Sequence, residues 1–338
     1  KISIQNCYFL ECEATNSAIF KLKLSTLTYP TFYNITIKGI RSDYSIYISF
    51  KVEFRGTVLF DNLKFIENVN CLDGGGSGIC LNNLRDEFNI YTIHSAFSHC
   101  DFINNYSPNN GGGYGLGYDE LVKPTHLTFT DCNFIGNHCD GSDGGGALWI
   151  RTSTSCTLAG CLFQDNYASY EQGSNGGAIY ISFASNMVYM TMLKCEFRNN
   201  SCLHSNSRGH AIYATLLYAR MEISRSKIID NGIDNDIPNS MIYSRSELFL
   251  IENSIYYTDK ERSFSRAVYS GASANLALRY NTIANCSILA SGGALCYESI
   301  KSKAAGRIEI IGNTFINNSG LGKGPEIYLY AKNTPTLY

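Results

Sequence analysis

The sequence has little charge, no long apolar run and no closely spaced cysteine pair, and each shortage excludes a class of protein. Charged residues make up 17% of the 338 residues and the net charge is −2, so the chain lacks the basic surface that nucleic-acid binding requires. No stretch of about 18 consecutive apolar residues could span a membrane as a helix. The 13 cysteines include no C-x-x-C pair, which disfavours zinc-ribbon and redox motifs. Residue 1 already lies in an alternating apolar segment, so we expect this chain to be part of a longer one.

What the sequence does have is a repeat of about 30 residues. The stretches CDFINN, CNFIGN, CLFQDN and CEFRNN begin at residues 100, 132, 161 and 195, and weaker copies occur on both sides. The aromatic or aliphatic anchors of this F-x-x-N motif recur at spacings of 27 to 37 residues. They are Phe9, Ile37, Phe65, Phe102, Phe134, Phe163, Phe197, Ile228, Ile255, Ile283 and Phe315. A second motif, G-G-A followed by Leu or Ile, follows several anchors, for example at 145–148, 176–179 and 292–295.

A repeat of this length indicates a solenoid, a propeller or an array. The segments between motifs alternate with period two and are rich in β-branched and aromatic residues, which excludes helical repeats. Propeller blades need about 40–45 residues, more than most of these units contain. The sequence therefore predicts an all-β fold: a single-stranded, right-handed parallel β-helix of about eleven coils, pectin-lyase-like, with residues 1–338 forming one continuous domain.

In such a fold, equivalent residues of successive coils stack about 4.8 Å apart, which predicts ladders. We expect the phenylalanines to fill the interior, the asparagines to form amide ladders at a turn where they adopt the left-handed conformation, and the cysteines two residues before Phe to stack inward. The predicted members are Phe65, Phe102, Phe134, Phe163, Phe197 and Phe315; Asn68, Asn105, Asn137, Asn166, Asn200 and Asn318; and Cys100, Cys132, Cys161 and Cys195.

The pairing of F-x-x-N with G-G-A-[ILV] resembles the repeat of the chlamydial polymorphic outer membrane proteins and of related trichomonad-type surface proteins. The strict pair occurs as Phe134/Asn137 with Gly145 to Leu148 and as Phe163/Asn166 with Gly176 to Ile179. The resemblance covers essentially the whole chain. It implies an extracellular or cell-surface β-helical domain with an adhesin role.

One column of residues is predicted to face outward next to the G-G-A corner. Such a stripe could bind a glycan or a protein through aromatic faces; alternatively, its members only stabilise the sheet. The candidate members are Phe20, Tyr47, Trp149, Tyr180, Tyr213, Tyr243, Tyr269 and Tyr328.

Cysteines and sequons leave alternatives open. The stacked cysteines are either reduced core residues or partners in disulfides between coils. Glycosylation sequons occur at Asn34, Asn199, Asn285 and Asn317, and also at Asn105, where a ladder would bury the side chain.

No catalytic, metal or cofactor site is predicted. Asp101 and Glu196 share one repeat position and Asp165 and Asp230 another, but neither pair lies in adjacent coils, as an acid and base pair would require. Possible metal ligands at 138–143 and 202–204 fall in variable loops without a known spacing.

Three functions follow. The first is a non-enzymatic surface adhesin or stalk whose loops, such as 69–75, 138–144, 167–175 and 201–209, carry specificity. The second is a subunit of an extracellular filament or coat that binds copies of itself. The third is a polysaccharide-active enzyme. The expected partners are a protein or glycan on a surface, or further copies of the chain.

Overall fold

The protein is built from parallel strands, most of which are hydrogen-bonded to their counterparts one coil earlier and one coil later. A computed structural model describes residues 2–24, 30–50, 56–70, 79–83, 93–116, 124–150, 155–182, 189–204, 206–215, 220–232, 239–259, 265–271, 275–299, 307–331 and 336–337. Within these ranges every regular element is a β-strand.

The strands follow one another in the same order in successive coils. The first four coils contain β1 (Ile2–Leu10), β2 (Glu13–Leu24), β3 (Pro30–Lys38), β4 (Arg41–Phe50), β5 (Gly56–Ile66), β6 (Val69–Asn70), β7 (Ile79–Asn83), β8 (Ile93–Ser98), β9 (Asp101–Ile103), β10 (Tyr106–Ser107) and β11 (Tyr114–Leu116). The next four contain β12 (Pro124–Thr130), β13 (Asn133–Ile135), β14 (His138–Cys139), β15 (Leu148–Ile150), β16 (Ser155–Ala159), β17 (Leu162–Gln164), β18 (Tyr167–Ala168), β19 (Ile179–Ser182), β20 (Tyr189–Leu193), β21 (Glu196–Arg198), β22 (Ser201–Cys202), β23 (Ile212–Thr215), β24 (Arg220–Ser224), β25 (Lys227–Ile229) and β26 (Asn239–Ser244). The remainder are β27 (Glu247–Ile251), β28 (Ser254–Tyr256), β29 (Ser265–Gly271), β30 (Leu276–Arg279), β31 (Thr282–Ala284), β32 (Ser287–Ile288), β33 (Leu295–Ser299), β34 (Arg307–Ile311), β35 (Thr314–Ile316), β36 (Ser319–Gly320), β37 (Ile327–Ala331) and β38 (Thr336–Leu337).

These strands form three long parallel sheets that enclose the core. The first sheet has twenty strands and bends once in each coil, so that strands such as β12 and β13 form its two halves. The second sheet runs from β2 to β22, and the third runs from β11 to β37. The parallel β-helix predicted from the sequence is thereby confirmed.

The register keeps all eleven predicted anchors in one column, from Phe9 opposite Ile37 to Ile283 opposite Phe315. Within the described residues the third sheet has eight strands. The turns that carry a strand on this third face are therefore fewer than the predicted eleven coils.

Each coil bends once within the first sheet and again after it, and a residue with positive φ stands at both bends except in the coil of Ile255, where only the first bend has one. The residue at the second bend directly precedes the repeat asparagine, as for Asn104 (φ 51°) before Asn105 and Asp165 (φ 55°) before Asn166. The expectation that the ladder asparagine itself adopts the left-handed conformation was therefore wrong. The asparagine side chain points into the coil, and its neighbour turns the chain.

The G-G-A corner uses its two glycines differently. Gly145 has φ of 74°, a conformation that favours glycine. Gly146 lies against the next coil, where an added Cβ would come within 2.3 Å of the carbonyl oxygen of Gly177. Ala147 is fully buried behind them, so this corner has no room for a larger residue.

The core contains two adjoining phenylalanine ladders. The predicted ladder, Phe65 to Phe197, is fully buried, and its rings are stacked with centroids 4.6 to 5.2 Å apart. The second ladder stands five residues before the anchors and meets the first edge to face, with Phe129 and Phe134 at 73°. Its rings belong to Phe32, Phe60, Phe97 and Phe129. Phe315, at the last anchor, is only half-buried.

Candidate functional site

The outer face of the third sheet carries a ladder of aromatic side chains. Trp149, Tyr180, Tyr213, Tyr243 and Tyr269 pair in register along the sheet. They form a cluster separate from the main core, because the residues on either side of each one point inward. The tyrosine rings stack on one another with centroids 4.6 to 5.3 Å apart.

Most side chains of this stripe are buried, which an open aromatic binding surface would not be. The exposed fraction is 3% for Trp149 and 6 to 8% for Tyr180, Tyr213 and Tyr243, whereas Tyr269 is half-buried. Because each tyrosine face packs on the next ring, the faces predicted to bind a ligand are already occupied. The ladder therefore offers ring edges and hydroxyl groups.

The predicted ends of the stripe behave differently. Phe20 pairs with Ile46 and Lys21 with Tyr47, because the register shifts between Ala14 and Ala18. Phe20 is therefore one position out of the predicted column, and the side chains of Phe20 and Tyr47 lie outside the described part of the structure. At the other end Cys296 follows Tyr269, and the half-buried Tyr328 pairs with Cys296.

Three arginines surround the tyrosine part of the stripe. The guanidinium groups of Arg208 and Arg245 lie 5.2 and 5.9 Å from the ring centroid of Tyr243, and both donate hydrogen bonds of 3.2 Å to its hydroxyl oxygen. Arg266 lies 5.6 Å from the ring centroid of Tyr269. Cations at such distances from aromatic rings are attracted by the ring quadrupole.

The arginines and tyrosines border a pocket of about 170 Å³. Its lining consists of Arg208, Asn239, Ser240, Tyr243, Arg266 and Tyr269. Ser240 is 1% exposed, and its hydroxyl has no hydrogen-bond partner within the described structure. These arginines were not predicted from the sequence, since they stand at three unrelated positions of the repeat.

Glu298 is the carboxylate closest to this arrangement. It accepts a hydrogen bond of 2.8 Å from the hydroxyl of Tyr269 and lies 3.7 Å from the thiol of Cys296. Burial and the neighbouring Glu298 raise the pKa of Tyr269, and burial raises the pKa of Tyr213. The tyrosine hydroxyls therefore stay protonated and can donate hydrogen bonds.

The repeat asparagines form a continuous ladder in the interior. The side-chain oxygen of Asn166 accepts two bonds from Asn137, one from its backbone N–H and one from its amide group, both of 3.0 Å. The amide group of Asn166 donates in turn to Asn200 and to the carbonyl of Phe134, both at 2.9 Å. The same pattern joins Asn68, Asn105, Asn137, Asn166, Asn200 and Asn231. Asn318 stands apart, because the two intervening coils have no asparagine in the ladder: the Tyr257 hydroxyl donates to the carbonyl of Asn231, and the backbone of Cys286 donates to the side-chain oxygen of Asn318.

The four predicted cysteines stack at the first bend. Cys100, Cys132, Cys161 and Cys195 are at most 2% exposed. Each thiol donates to a carbonyl of the preceding coil over 3.5 to 3.6 Å. All eleven cysteines whose state the structure describes are free. Interaction with the neighbouring stacked thiols, together with burial, raises the pKa of Cys132 and Cys195, and burial raises that of Cys139 to about 12.

A second asparagine ladder replaces the cysteines towards the C-terminal coils. The amide groups of Asn253, Asn281 and Asn313 donate to the carbonyls of Ile223, Leu250 and Leu278. These carbonyls belong to the column that the cysteine thiols use in earlier coils. A recurring Asn-Ser or Asn-Thr pair at 253, 281 and 313 was the signal for this ladder in the sequence.

The four sequon asparagines occupy two kinds of position. Asn199 and Asn317 are exposed at a second bend, whereas Asn34 and Asn285 are half-buried. The amide nitrogens of Asn34 and Asn285 donate to the side-chain oxygen of Asn6 and to the carbonyl of Tyr257. Glycosylation of these residues stays a prediction.

The carboxylates considered for catalysis are each bound to a nearby surface group. Asp101 accepts from Asn133 at 2.8 Å, and Glu196 pairs with Arg198 at 2.7 Å. Asp165 accepts from Asn199 at 2.6 Å, and Asp230 accepts from both the backbone and the hydroxyl of Thr258. The contacts of Asp165 and Asp230 are at bends, whereas Asp101 and Glu196 belong to β9 and β21.

Half of the residues weighed as metal ligands are parts of strands. His138 and Cys139 form β14, where the His138 ring stacks between Tyr106 and Tyr167 at 4.6 and 4.8 Å; Cys202 belongs to β22. The placement of these three residues in loops was therefore wrong, whereas Asp140, Asp143 and His204 lie outside the strands as predicted. In the described ranges, no group of three or more His, Cys, Asp or Glu side chains is arranged to hold a metal ion. Nor does any described segment form a helix long and apolar enough to cross a membrane.

Comparison with known proteins identifies the architecture. The model of the family described as right handed beta helix region matches residues 146–336, more than half of the chain. The chain belongs to the right-handed β-helix family. The handedness predicted from the sequence is thus confirmed for this β-helix, while the narrower resemblance to polymorphic outer membrane proteins stays a prediction. No curated protein and no solved structure showed a significant similarity.

Proposed function

We propose that this β-helix is a non-enzymatic, extracellular or cell-surface binding protein of the adhesin type. Its ligand would contact the outer face of the third sheet and the loops that lead into it. A glycan or a protein displayed on another surface is the expected partner.

The observation that supports this proposal is the pocket at Tyr243 and Tyr269. The guanidinium groups of Arg208 and Arg266 line this pocket together with the two tyrosines, and that of Arg245 donates to the Tyr243 hydroxyl beside it. Concave sites with a few convergent polar groups are the usual places for ligands. A binding role without chemistry is favoured because the carboxylates weighed as acid and base are each engaged in separate local contacts.

The proposal is tested by binding and turnover measured on the same material. The purified chain is immobilised and exposed to a panel of neutral, carboxylated and sulfated oligosaccharides, and each oligosaccharide is also incubated with the protein and examined for cleavage. We expect saturable binding of at least one oligosaccharide, weakened by Tyr243→Phe, and no cleavage.

Cleavage of an oligosaccharide would favour a polysaccharide-active enzyme instead. If no oligosaccharide binds and electron microscopy shows ordered filaments of the protein, the filament function would replace the proposed one. Tyr33→Phe is a suitable control, because Tyr33 is 46% exposed on the first sheet, away from the stripe.

A further inference from the structure

Three arginines surround the stripe, and the nearby carboxylate of Glu298 is bonded to the Tyr269 hydroxyl and not to any of them. In the part of the chain that the structure describes, none of Arg208, Arg245 and Arg266 forms a salt bridge with a carboxylate, although arginines elsewhere do, as Arg225 does with Glu252 at 2.7 Å. Glu298 contacts Tyr269 and Cys296.

Arg266 is the decisive member of the group because it is only 8% exposed. A guanidinium group remains charged in proteins, and a buried charge without a counter-charge is costly. The adjacent Cys296 does not supply that charge, since burial raises the pKa of its thiol to about 11. The contact with the Tyr269 ring compensates only in part, so an anion from outside would complete the site.

The hydrogen-bond donors point to the shape of that anion. Tyr243 accepts from both Arg208 and Arg245, which leaves its own O–H to donate. Arg208 and Arg266 both border the pocket, Arg266 beside Tyr269. Donors that come from several sides suit a group with three or four oxygens better than a planar carboxylate, which a single guanidinium can already saturate.

We propose that this pocket binds a tetrahedral oxyanion, a sulfate or phosphate ester group carried by the ligand. Sulfate and phosphate esters share the chemistry that the site recognises, and the experiment separates them. The claim that this pocket determines which ligand the binding surface recognises rests on the proposed function. Binding of the free anion can be measured independently of that function.

The test is isothermal titration calorimetry of the full chain with sodium sulfate, sodium phosphate and sodium acetate at constant ionic strength. We expect saturable binding of sulfate, phosphate or both, and at least about tenfold weaker binding of acetate, equivalent to about 1.4 kcal/mol. Preference for one of the two tetrahedral anions would identify which ester the ligand carries.

Variants separate the site from general surface charge. Arg208→Gln with Arg245→Gln changes two exposed side chains and should weaken oxyanion binding at least about tenfold. Arg225→Gln removes an exposed cation on the first sheet and should leave it unchanged. Arg266→Gln should abolish binding, and its circular dichroism spectrum shows whether it folds. Absence of saturable binding to the wild-type chain, equal affinity for acetate, or unchanged binding by the double variant would each overturn the inference.

Polymers distinguish failure of the inference from failure of the proposed function. Binding of dextran sulfate but not of neutral dextran, lost in the double variant, would support both. Binding of neutral glycans alone would leave the proposed function standing and overturn the inference. Saturable binding of free sulfate without any binding to glycans or surface proteins would support the inference and overturn the proposed function.

Discussion

At the scale of the residue, each inward side chain has nearly the same surroundings as its counterpart one coil away. Phe134 illustrates this: it is fully buried and stacks on Phe102 and Phe163 at 4.6 and 4.8 Å. Phe129 contacts it edge to face. Such a residue has neighbours on every side, so little can move to fill a cavity.

Phe134→Ala should therefore lower the free energy of unfolding by about 3–5 kcal/mol. Chemical denaturation followed by circular dichroism measures the change. Leu321→Ala is the matched control, because Leu321 is 80% exposed and should change stability by less than about 0.5 kcal/mol. Similar effects from both variants would contradict the interior placement of Phe134.

His210 is a residue at which the repeat departs from its own pattern. It takes the place of the second glycine of the corner, and its Nδ1 accepts a hydrogen bond of 3.2 Å from the backbone N–H of Cys202. Burial lowers the pKa of His210 to about 4. The imidazole is therefore neutral in the folded protein at neutral pH.

This lowered pKa predicts a specific dependence of stability on pH. Between about pH 6.5 and pH 4 the unfolded chain binds a proton at His210 that the folded chain does not bind, so stability falls as the pH falls. The contribution amounts to about 3 kcal/mol at pH 4 and is absent above about pH 6.5. Unfolding measured across this range should show a smaller loss for His210→Asn than for the wild type; parallel curves would show that His210 titrates normally.

At the scale of the element, the asparagine ladder joins coils through side chains as the strands join them through the backbone. Each interior asparagine uses its oxygen towards one coil and its amide nitrogen towards the other. The amide-to-amide hydrogen bonds of the ladder thus all run from donor to acceptor in the same direction. A substitution that replaces one donor by an acceptor therefore affects the contacts with two coils at once.

Asn166→Asp tests this directionality with little change in shape. The carboxylate retains the oxygen that accepts from Asn137, but it removes the donor to Asn200 and Phe134. We expect a loss of more than about 2 kcal/mol at neutral pH, partly recovered at low pH when the carboxyl group gains a proton. Asn317→Asp, at an exposed bend, should be nearly neutral; equal costs would refute the ladder as a source of stability.

The elements differ in how far the sequence could reveal them. The anchors Phe102, Phe134 and Phe163 could be placed because one residue type recurs at one position of the repeat. The second phenylalanine ladder was missed because it gives way to Leu158, Met192 and Ile223 after four coils, which removes the repeat in residue type but keeps the buried volume. The covering of the tyrosine stripe could not be predicted, since the arginines beside it come from separate segments that only the fold brings together.

At the scale of the whole molecule, the thiols are divided between a few accessible groups and many enclosed ones. Cys7 and Cys12 are half-buried, whereas the other nine described cysteines are buried. The thiolate is the reactive form, and burial raises the pKa of thiols such as Cys139 and Cys156. Resistance to alkylation should therefore be a property of the intact solenoid.

Alkylation with iodoacetamide followed by mass spectrometry measures this division. The native protein should modify rapidly at Cys7 and Cys12, and the protein unfolded without reductant should modify at all eleven described positions. Protection of two neighbouring cysteines such as Cys132 and Cys161 in the unfolded state, released by reductant, would demonstrate a disulfide and contradict the free thiols. Rapid modification of Cys161 in the native state would contradict its enclosure.

The in-register stacking of the anchor column has a consequence for how such a protein can change over generations. Coils that carry strands on all three faces offer one another nearly the same cross-section, so duplication or loss of one such unit in the gene joins surfaces that already match. Each such event would alter the reach of the rod by about 4.8 Å and leave its remaining walls intact. The length of the β-helix can therefore change during evolution by whole coils, without a change in the pocket.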